Sequence, residues 1–268
     1  MWSVGSGKMI GISSLNTDTP SNKFCQGMYN STKENIICRE CYSMSMLKTF
    51  RKNCRPKFTN NSKFLSSKIH DREYLPPCPS TTGRFHSHGE LINSIHLENI
   101  LNICLNQPMT TFTLWTKRTN LVKKLMQNRK KPKNLILIYS NPVISKPITK
   151  PPLYFDKVFN AVYKEQFIEE QNCTGQKCKD CLKCYNFSNK KKDNIIYEAV
   201  KRPPKNKPLR TICEACYSHK GINFRKHTMV KPLEKNSRLL KTKLTEIQIP
   251  KILNRFFRFN HHGELLDN

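Results

Sequence analysis

The sequence lacks long apolar runs and is short of acidic side chains. No segment approaches the roughly 18 to 20 consecutive apolar residues that a membrane-spanning helix needs, so we expect a protein that does not cross a membrane. Residues 1–9 also lack an apolar core of signal-peptide length, which predicts no secretion signal and a cytoplasmic location. Only 19 Asp and Glu residues face 47 Lys and Arg residues, and this excludes an acidic or neutral protein.

The resulting net charge of +28 has two explanations. Lys and Arg side chains that neutralise phosphates release counterions, so a strongly basic chain is typical of a nucleic-acid-binding protein. The chain is also rich in Asn, Lys and Ile together, the bias that AT-rich coding DNA imposes, and its Lys residues are scattered. In that case a weak, nonspecific affinity for nucleic acid is only a by-product of composition.

Cysteine, by contrast, is abundant. In a reducing cytoplasm, twelve Cys residues are more typical of metal ligands or free thiols than of disulfides. Seven of them fall into two tight groups, and this spacing favours metal binding.

The first Cys group, Cys25, Cys38 and Cys41, has the spacing C-x12-C-x2-C and is followed by Tyr42. Three thiolates on one loop can hold three irons of a [4Fe–4S] cluster and leave the fourth iron open to a ligand. With a fourth protein ligand they would make a closed zinc site, and without metal they would be buried or free thiols.

The second Cys group has the spacing C-x4-C-x2-C-x2-C and consists of Cys173, Cys178, Cys181 and Cys184. Zinc ribbons usually separate two Cys pairs by a dozen or more residues, whereas four Cys within twelve residues resemble a ferredoxin run. The spacing therefore favours a second iron–sulfur cluster over zinc at this group.

Between the two Cys groups, strand-like and helix-like segments alternate. Strands are predicted at residues 8–15 (with the apolar run at 9–12), 84–88, 111–115, 135–139 and 156–164, and helices at residues 42–53, 61–69, 92–105 and 121–127. Such alternation is typical of parallel βα units, of which about four follow one another here. We expect an α/β fold, a partial parallel βα barrel over residues 1–188, because a complete barrel needs about 250 residues.

The predicted strand at residues 84–88 ends in the sequence His86-Ser87-His88-Gly89-Glu90. Ligands gather at the carboxyl ends of parallel strands. Glu90 could bind an amino group there, and His88 could be a ligand or a proton carrier. Buried histidines with satisfied hydrogen bonds are the alternative. Trp115 and Lys117 close the next strand, where a core Trp and a solvated Lys explain them equally well.

Part of the chain is duplicated. Residues 38–43 recur at 213–218 and residues 84–91 recur at 258–265; Cys38 precedes Gly89 by 51 positions, and Cys213 precedes Gly263 by 50. We predict a basic Pro/Lys/Asn linker at 189–208 and a truncated second copy at 209–268. The second copy has no Cys equivalent to Cys25, so we expect it to be catalytically empty.

These features together resemble the phage gene product 88 family, over roughly residues 8–200. The layout of that family is similar to radical S-adenosylmethionine barrels. The resemblance implies that the first Cys group holds a catalytic [4Fe–4S] cluster and that the second binds an auxiliary metal, either zinc or a second cluster. It also implies that Gly89 and Glu90 meet the methionine amino group of S-adenosylmethionine. Tyr42, His88 and Lys117 are further candidates for this cofactor site. A phage protein of this kind would act in the cytoplasm of its host cell.

Two hypotheses follow. The first is a radical-type iron–sulfur enzyme that uses S-adenosylmethionine to abstract a hydrogen atom from a substrate. The second is a noncatalytic, metal-stapled basic protein that binds nucleic acid. The sequence leaves the substrate and the oligomeric state open.

Overall fold

The computed structural model describes residues 1–164, 169–188, 190–200 and 226–246. The chain divides into two compact units, Met1–Pro203 and Pro204–Asn268.

The first unit is built on one seven-stranded sheet whose strands follow their order in the sequence. Strands β1 and β2 are antiparallel, and every later neighbouring pair is parallel. The strands are β1 (Trp2–Val4), β2 (Ser13–Leu15), β3 (Thr82–Phe85), β4 (Thr111–Thr116), β5 (Leu135–Ser140), β6 (Lys157–Tyr163) and β7 (Ile195–Val200). The predicted α/β class is confirmed as a mostly parallel sheet, but β1 and β7 are the two ends of that sheet and closure into a barrel is not confirmed.

Helices connect β2 to β3, β3 to β4 and β4 to β5, as the predicted βα units require, whereas residues 141–156 connect β5 to β6 without a helix. Asn93 caps one of the longest of them, because its side-chain oxygen accepts a hydrogen bond from the backbone N–H of His96 at 2.9 Å. The α-helices of the first unit are α1 (Lys23–Tyr29), α2 (Tyr42–Lys48), α3 (Arg55–Ser67), α4 (Ser94–Asn106), α5 (Thr119–Met126) and α6 (Cys178–Cys181).

The main core lies between the sheet and helices α3, α4 and α5. Strands β2 to β5 contribute alternate apolar residues to one face of the sheet, as the two-residue period of a strand dictates. We call this the helix face; its strand residues in the core are Leu15, Phe85, Phe112, Leu114, Leu135 and Leu137. Intervening residues such as Arg84 and Trp115 belong to the opposite face, which we call the pocket face.

The predictions for the middle of the chain are confirmed: α4, β4, α5, β5 and β6 form where the sequence indicates them. The strand predicted at residues 8–15 is confirmed only at its carboxyl end, and the apolar run at residues 9–12 is not part of it. A 3-10 helix, Gly7–Met9, and a turn occupy this segment, because Gly7 and Gly11 adopt φ angles of 59° and 84° that a strand does not use. The strand follows at Ser13–Leu15 instead.

The predicted linker at 189–208 also requires correction. Residues 195–200 form β7, which pairs in parallel with β6 along its whole length. The Ile195-Ile196-Tyr197 run supplies the apolar side chains that bury this strand, although Lys and Asn residues surround it in the sequence.

Most of the predicted second copy, residues 209–225 and 247–268, lies outside the described residues. Between them a helix spans Lys226–Leu240 and carries Asn236-Ser237-Arg238, just as α3 carries the matching Asn61-Ser62-Lys63. Among the described residues, no helix combines the length and the apolar character that crossing a bilayer requires.

Candidate functional site

A cavity of about 620 Å³ opens at the carboxyl edge of the parallel strands. The segments that follow β2, β3, β4 and β5 line it, together with the pocket face of β6 and β7. Residues from both ends of the sheet therefore reach one cavity, which means that the sheet curves around it. This is the position where parallel sheets bind their ligands.

All three residues of the first Cys group, Cys25, Cys38 and Cys41, line this pocket. Cys25 lies on α1, whose N-terminus is capped by the Asn22 side chain; its oxygen accepts from the N–H of Phe24 at 3.0 Å and of Cys25 at 3.3 Å. Burial raises the pKa of the Cys25 thiol, and the neighbouring Glu90 and the other two thiols add to the rise. The three sulfurs are thus close enough to interact electrostatically.

Glu90 is buried in the same pocket, and three donors fix its carboxylate. The Thr116 hydroxyl donates to Oε1 at 2.5 Å, the Leu91 N–H to Oε1 at 2.8 Å and the Lys117 N–H to Oε2 at 2.8 Å. A carboxylate offers about four lone-pair sites, so acceptor capacity remains after these three bonds. The end of β4 therefore fixes the Glu90 carboxylate, which lies in the segment after β3.

Gly89 allows the chain to turn at this point. Its φ of 90° favours glycine, and a Cβ there would lie 2.0 Å from the Thr17 hydroxyl oxygen. The Gly89 N–H donates to the Thr19 hydroxyl at 2.8 Å, so the segment after β2 fixes the segment after β3.

Lys117 supplies the positive charge beside these groups. Its Nζ donates to the Ser140 hydroxyl at 3.0 Å. Burial alone would lower the pKa of Lys117, but the thiols of the first Cys group and Glu90 raise it overall, so the side chain stays protonated. The pocket thus combines three thiols, a carboxylate and an ammonium group.

Tyr42 and His88 differ in how they relate to the pocket. Tyr42 lines it and donates a hydrogen bond from its hydroxyl to the Ser87 carbonyl at 2.6 Å. His88 is not among the lining residues; its Nδ1 lies 2.8 Å from the Ser43 hydroxyl and its ring packs against Phe58 at 5.5 Å. Burial lowers the pKa of His88 to about 4, so a neutral imidazole links α2 to the end of β3.

The second Cys group reaches the pocket from the other side. Cys173, Cys178 and Cys184 line it, whereas Cys181 is exposed, lies outside the lining and accepts a hydrogen bond from Gln176 Nε2 at 3.4 Å. Burial raises the pKa of the Cys184 thiol to about 12. The sequence-predicted residues therefore meet in one pocket, with the exceptions of His88 and Cys181.

Two lysines hold the second group in place, and neither was predicted from the sequence. The Nζ of Lys8 donates to Glu198 at 2.7 Å and to the Cys173 sulfur at 3.0 Å. Lys157 is almost fully buried, and its Nζ donates to the carbonyls of Lys183 at 2.9 Å and Asp193 at 3.3 Å. Lys8 and Glu198 are 190 positions apart, so no local signal could have paired them.

Sequence reasoning also missed Arg84, whose guanidinium lies 4.2 Å from the centre of the Trp115 ring. A signal existed in this case. Arg84 and His86 are two positions apart on the predicted strand, so they share a face, and His86 lies in the motif already identified. Both residues line the pocket.

The donor set can be compared with the metal that the sequence implies. Among the described ranges, no three His, Cys, Asp or Glu side chains stand close enough to share one metal ion. In an iron–sulfur cluster each thiolate binds its own iron, so the ligands do not meet at one point. Three Cys residues that line the same pocket are a donor set of this type, and in their chemistry they fit such a cluster.

Comparison with known proteins places the chain in a family. A model of the family described as gene product 88 matches residues 4–151. No curated protein and no solved structure matches the chain. The matched range covers more than half of the 268 residues and includes the first Cys group, Glu90 and Lys117, but not the second Cys group. The chain belongs to the gene product 88 family.

Proposed function

We propose that this protein is an iron–sulfur enzyme of the radical S-adenosylmethionine type, with its active site in the pocket at the carboxyl edge of the sheet. One observation carries the proposal. A buried carboxylate, Glu90, is held by three donors beside three thiols, and all four groups line one cavity at the end of parallel strands.

Cys25, Cys38 and Cys41 would hold the cluster. When bound there, a reduced [4Fe–4S] cluster with an open iron would supply the one electron that cleaves a C–S bond of S-adenosylmethionine into methionine and the radical that abstracts a hydrogen atom. Three thiolates carry three negative charges in a partly buried site. Lys117 offsets part of that charge, because its ammonium interacts with the thiols of this group.

Glu90 would orient the cofactor. Its carboxylate is fixed by the N–H groups of Leu91 and Lys117 and by the Thr116 hydroxyl, and its remaining acceptor capacity suits an ammonium group such as that of a methionine moiety. A group held in this way loses little freedom when the ligand binds, and such preorganisation favours binding.

The apolar part of the lining would take the rest of the cofactor and keep water out. Aromatic and aliphatic walls are typical of pockets for organic cofactors, and here they come from Phe24, Met28, Ile37, Ile144 and Phe159. A drier site also strengthens the electrostatic interactions of Glu90 and Lys117.

The second Cys group would hold an auxiliary metal, zinc or a second cluster. Three of its thiols line the same cavity as the first group, so both metals would face one ligand.

A second function, binding of nucleic acid without catalysis, draws support from a different surface. The helix Lys226–Leu240 and the residues after it expose five basic side chains: Lys231, Lys235, Arg238, Lys241 and Lys243. Binding there should weaken steeply with salt, because each phosphate contact releases a counterion. A flat salt response, or no binding at low salt, would remove this alternative.

Anaerobic purification followed by iron, sulfide and zinc analysis tests the enzyme proposal, together with calorimetry of S-adenosylmethionine. We expect iron and sulfide in the parent, measurable binding, and a loss of affinity of roughly tenfold or more in Glu90→Gln with its metal content unchanged, because a charge-assisted hydrogen bond is lost. Glu73→Gln, which changes an exposed carboxylate on another loop, is the matched control. A folded parent without iron, or equal affinity in both Glu variants, would contradict the proposal.

A further inference from the structure

Arg84 is a pocket cation that no carboxylate of the described residues pairs with. The ion pairs of the described residues involve Lys8, Arg55, Arg129 and Lys131, and not Arg84. Its Nη1 makes one weak contact, with the Met9 sulfur at 3.5 Å, and its Nε is buried without a hydrogen-bond partner in the described structure. A buried donor of a charged group is costly to leave unpaired, and such a group indicates a missing partner.

A second donor without a partner stands beside it. The Trp115 ring stacks under the Arg84 guanidinium, and the Trp115 Nε1 is also buried with no partner among the described residues. An indole N–H can only donate a hydrogen bond, so only an acceptor atom can satisfy it. Trp115 is itself held in place by Phe159, whose ring meets it edge-on at 4.9 Å. Arg84 and Trp115 both line the cavity, and each has a buried nitrogen without a partner among the described residues.

Tyr185 adds a third polar group to the cavity. It lines the pocket, and burial raises the pKa of its phenol, whereas the charge of Arg84 and a side-chain hydrogen bond with it lower that pKa. Apart from this contact with Arg84, the buried hydroxyl has no partner among the described residues. The ring is almost fully buried, so the hydroxyl is positioned by the surrounding structure. Glu90 and Lys117, the groups assigned above to the cofactor, belong to the segments after β3 and β4, whereas Arg84 and Trp115 lie on the strands themselves.

We propose that Arg84 and Trp115 form a binding site for an oxyanion group of the substrate, a carboxylate or a phosphate. A guanidinium offers a planar fork of N–H donors that matches both groups, and the indole N–H provides one more directed bond. The cavity would then have two ends, with the cofactor ammonium at Glu90 and the substrate anion at Arg84. Anion binding needs only the pocket and no bound cluster, whereas the assignment of the anion to a substrate rests on the proposed function.

Another explanation for Arg84 is that it balances the charge of the second Cys group. The guanidinium does interact with the thiols of Cys178 and Cys184. Under that explanation an Arg84 variant would lose metal and keep its affinity for small anions. Under our proposal it would lose the affinity and keep the metal.

The two tryptophans of the chain provide a direct measurement, since Trp2 and Trp115 give two indole N–H signals in a nuclear magnetic resonance spectrum. Trp2 already donates to the Pro76 carbonyl at 3.0 Å and serves as an internal control. Inorganic phosphate and sodium acetate are titrated separately into the full-length chain, as purified and again after chelation of metal, with chloride to match ionic strength. Trp115→Phe assigns the two signals.

We expect the Trp115 signal to shift and saturate with phosphate, acetate or both, while the Trp2 signal stays in place, and the tighter anion identifies the class of substrate. Arg84→Gln should weaken this binding about tenfold or more. Arg84→Lys keeps the charge but not the planar fork of donors, so its anion affinity should lie between those of the parent and Arg84→Gln. Arg238→Gln removes the same charge from an exposed helix and should bind like the parent.

Several results would overturn the proposal. They are equal movement of both indole signals without saturation, unchanged anion affinity in Arg84→Gln, or loss of metal in that variant with anion binding retained. A competition experiment between the anion and S-adenosylmethionine shows whether the site takes the substrate or the cofactor. If S-adenosylmethionine displaces the anion, the site belongs to the carboxylate of the cofactor and the substrate assignment fails; simultaneous binding supports it. If Arg84→Gln does not fold, Arg84→Lys supplies the same comparison.

Discussion

Leu114 and Trp115 are neighbours in β4, but their side chains lie on opposite faces of the sheet. Leu114 is fully buried on the helix face, in the cluster that α3, α4 and α5 complete. Trp115 is on the pocket face, beneath Arg84, and its indole nitrogen has no partner among the described residues. The same alternation separates Phe85 from Arg84 in β3.

The comparison indicates that the two faces have different roles. The helix face is apolar and closely packed, so its side chains contribute mainly to the free energy of unfolding. The pocket face carries charges and unpaired donors, and the Cys segments that line the same cavity add thiols; such groups cost stability unless a ligand satisfies them. Changes on the first face should therefore act on stability, and changes on the second should act on metal and ligand binding.

The largest expected effect lies on the helix face. Phe112 is fully buried between Phe85 and the Trp2 ring, so Phe112→Ala should lower the free energy of unfolding by about 3–5 kcal/mol. Chemical denaturation measures the change, and Phe50→Ala, at a ring that is 75% exposed, is the control with little expected loss. If the milder Phe112→Leu folded normally but lost its metal or its ligand, the separation between the faces would not hold.

A smaller effect, confined to the cavity, is expected for Cys41→Ala. If the proposed function holds, this variant should lose the metal of the first Cys group and keep that of the second, because the two groups reach the cavity from separate segments. Metal and sulfide analysis after anaerobic purification measures the loss. Cys54→Ala, which removes a thiol outside both groups, should retain the full metal and sulfide content. Simultaneous loss of both metals in Cys41→Ala would indicate a single shared site.

The two faces also differ in how far the sequence predicts them. On the helix face, periodicity was sufficient, since the apolar run at residues 135–139 and the spacing in residues 92–105 give β5 and α4 directly. The buried face of a helix or strand needs apolar residues at fixed intervals, and this pattern can be read from a short stretch of sequence.

The pocket was predicted only where its residues form motifs. The Cys groups and the Gly89-Glu90 pair stand out by spacing, and the rule on strand ends places them at one edge. The contributions of Lys8 and Glu198 could not be predicted, because their ion pair joins distant segments after the sheet has curved. His88 shares the motif with Glu90, but the left-handed φ of 67° at His86 and the 90° φ at Gly89 redirect the chain, and no composition signal indicates this.

The smallest expected effect tests the comparison within the second Cys group. Cys181 is exposed and lies outside the cavity, whereas Cys184 lines it and is mostly buried. If the second Cys group binds a metal as proposed, Cys184→Ala should lose it and Cys181→Ala should keep it, although the sequence spacing alone makes the two thiols equivalent. Metal analysis of both variants, each referred to the parent, gives the result. If Cys181→Ala loses the metal as completely as Cys184→Ala does, then all four thiols bind it. Metal binding would in that case reorganise the segment around Cys178–Cys181, and the boundary of the pocket face would depend on the metal and not on the strand alternation alone.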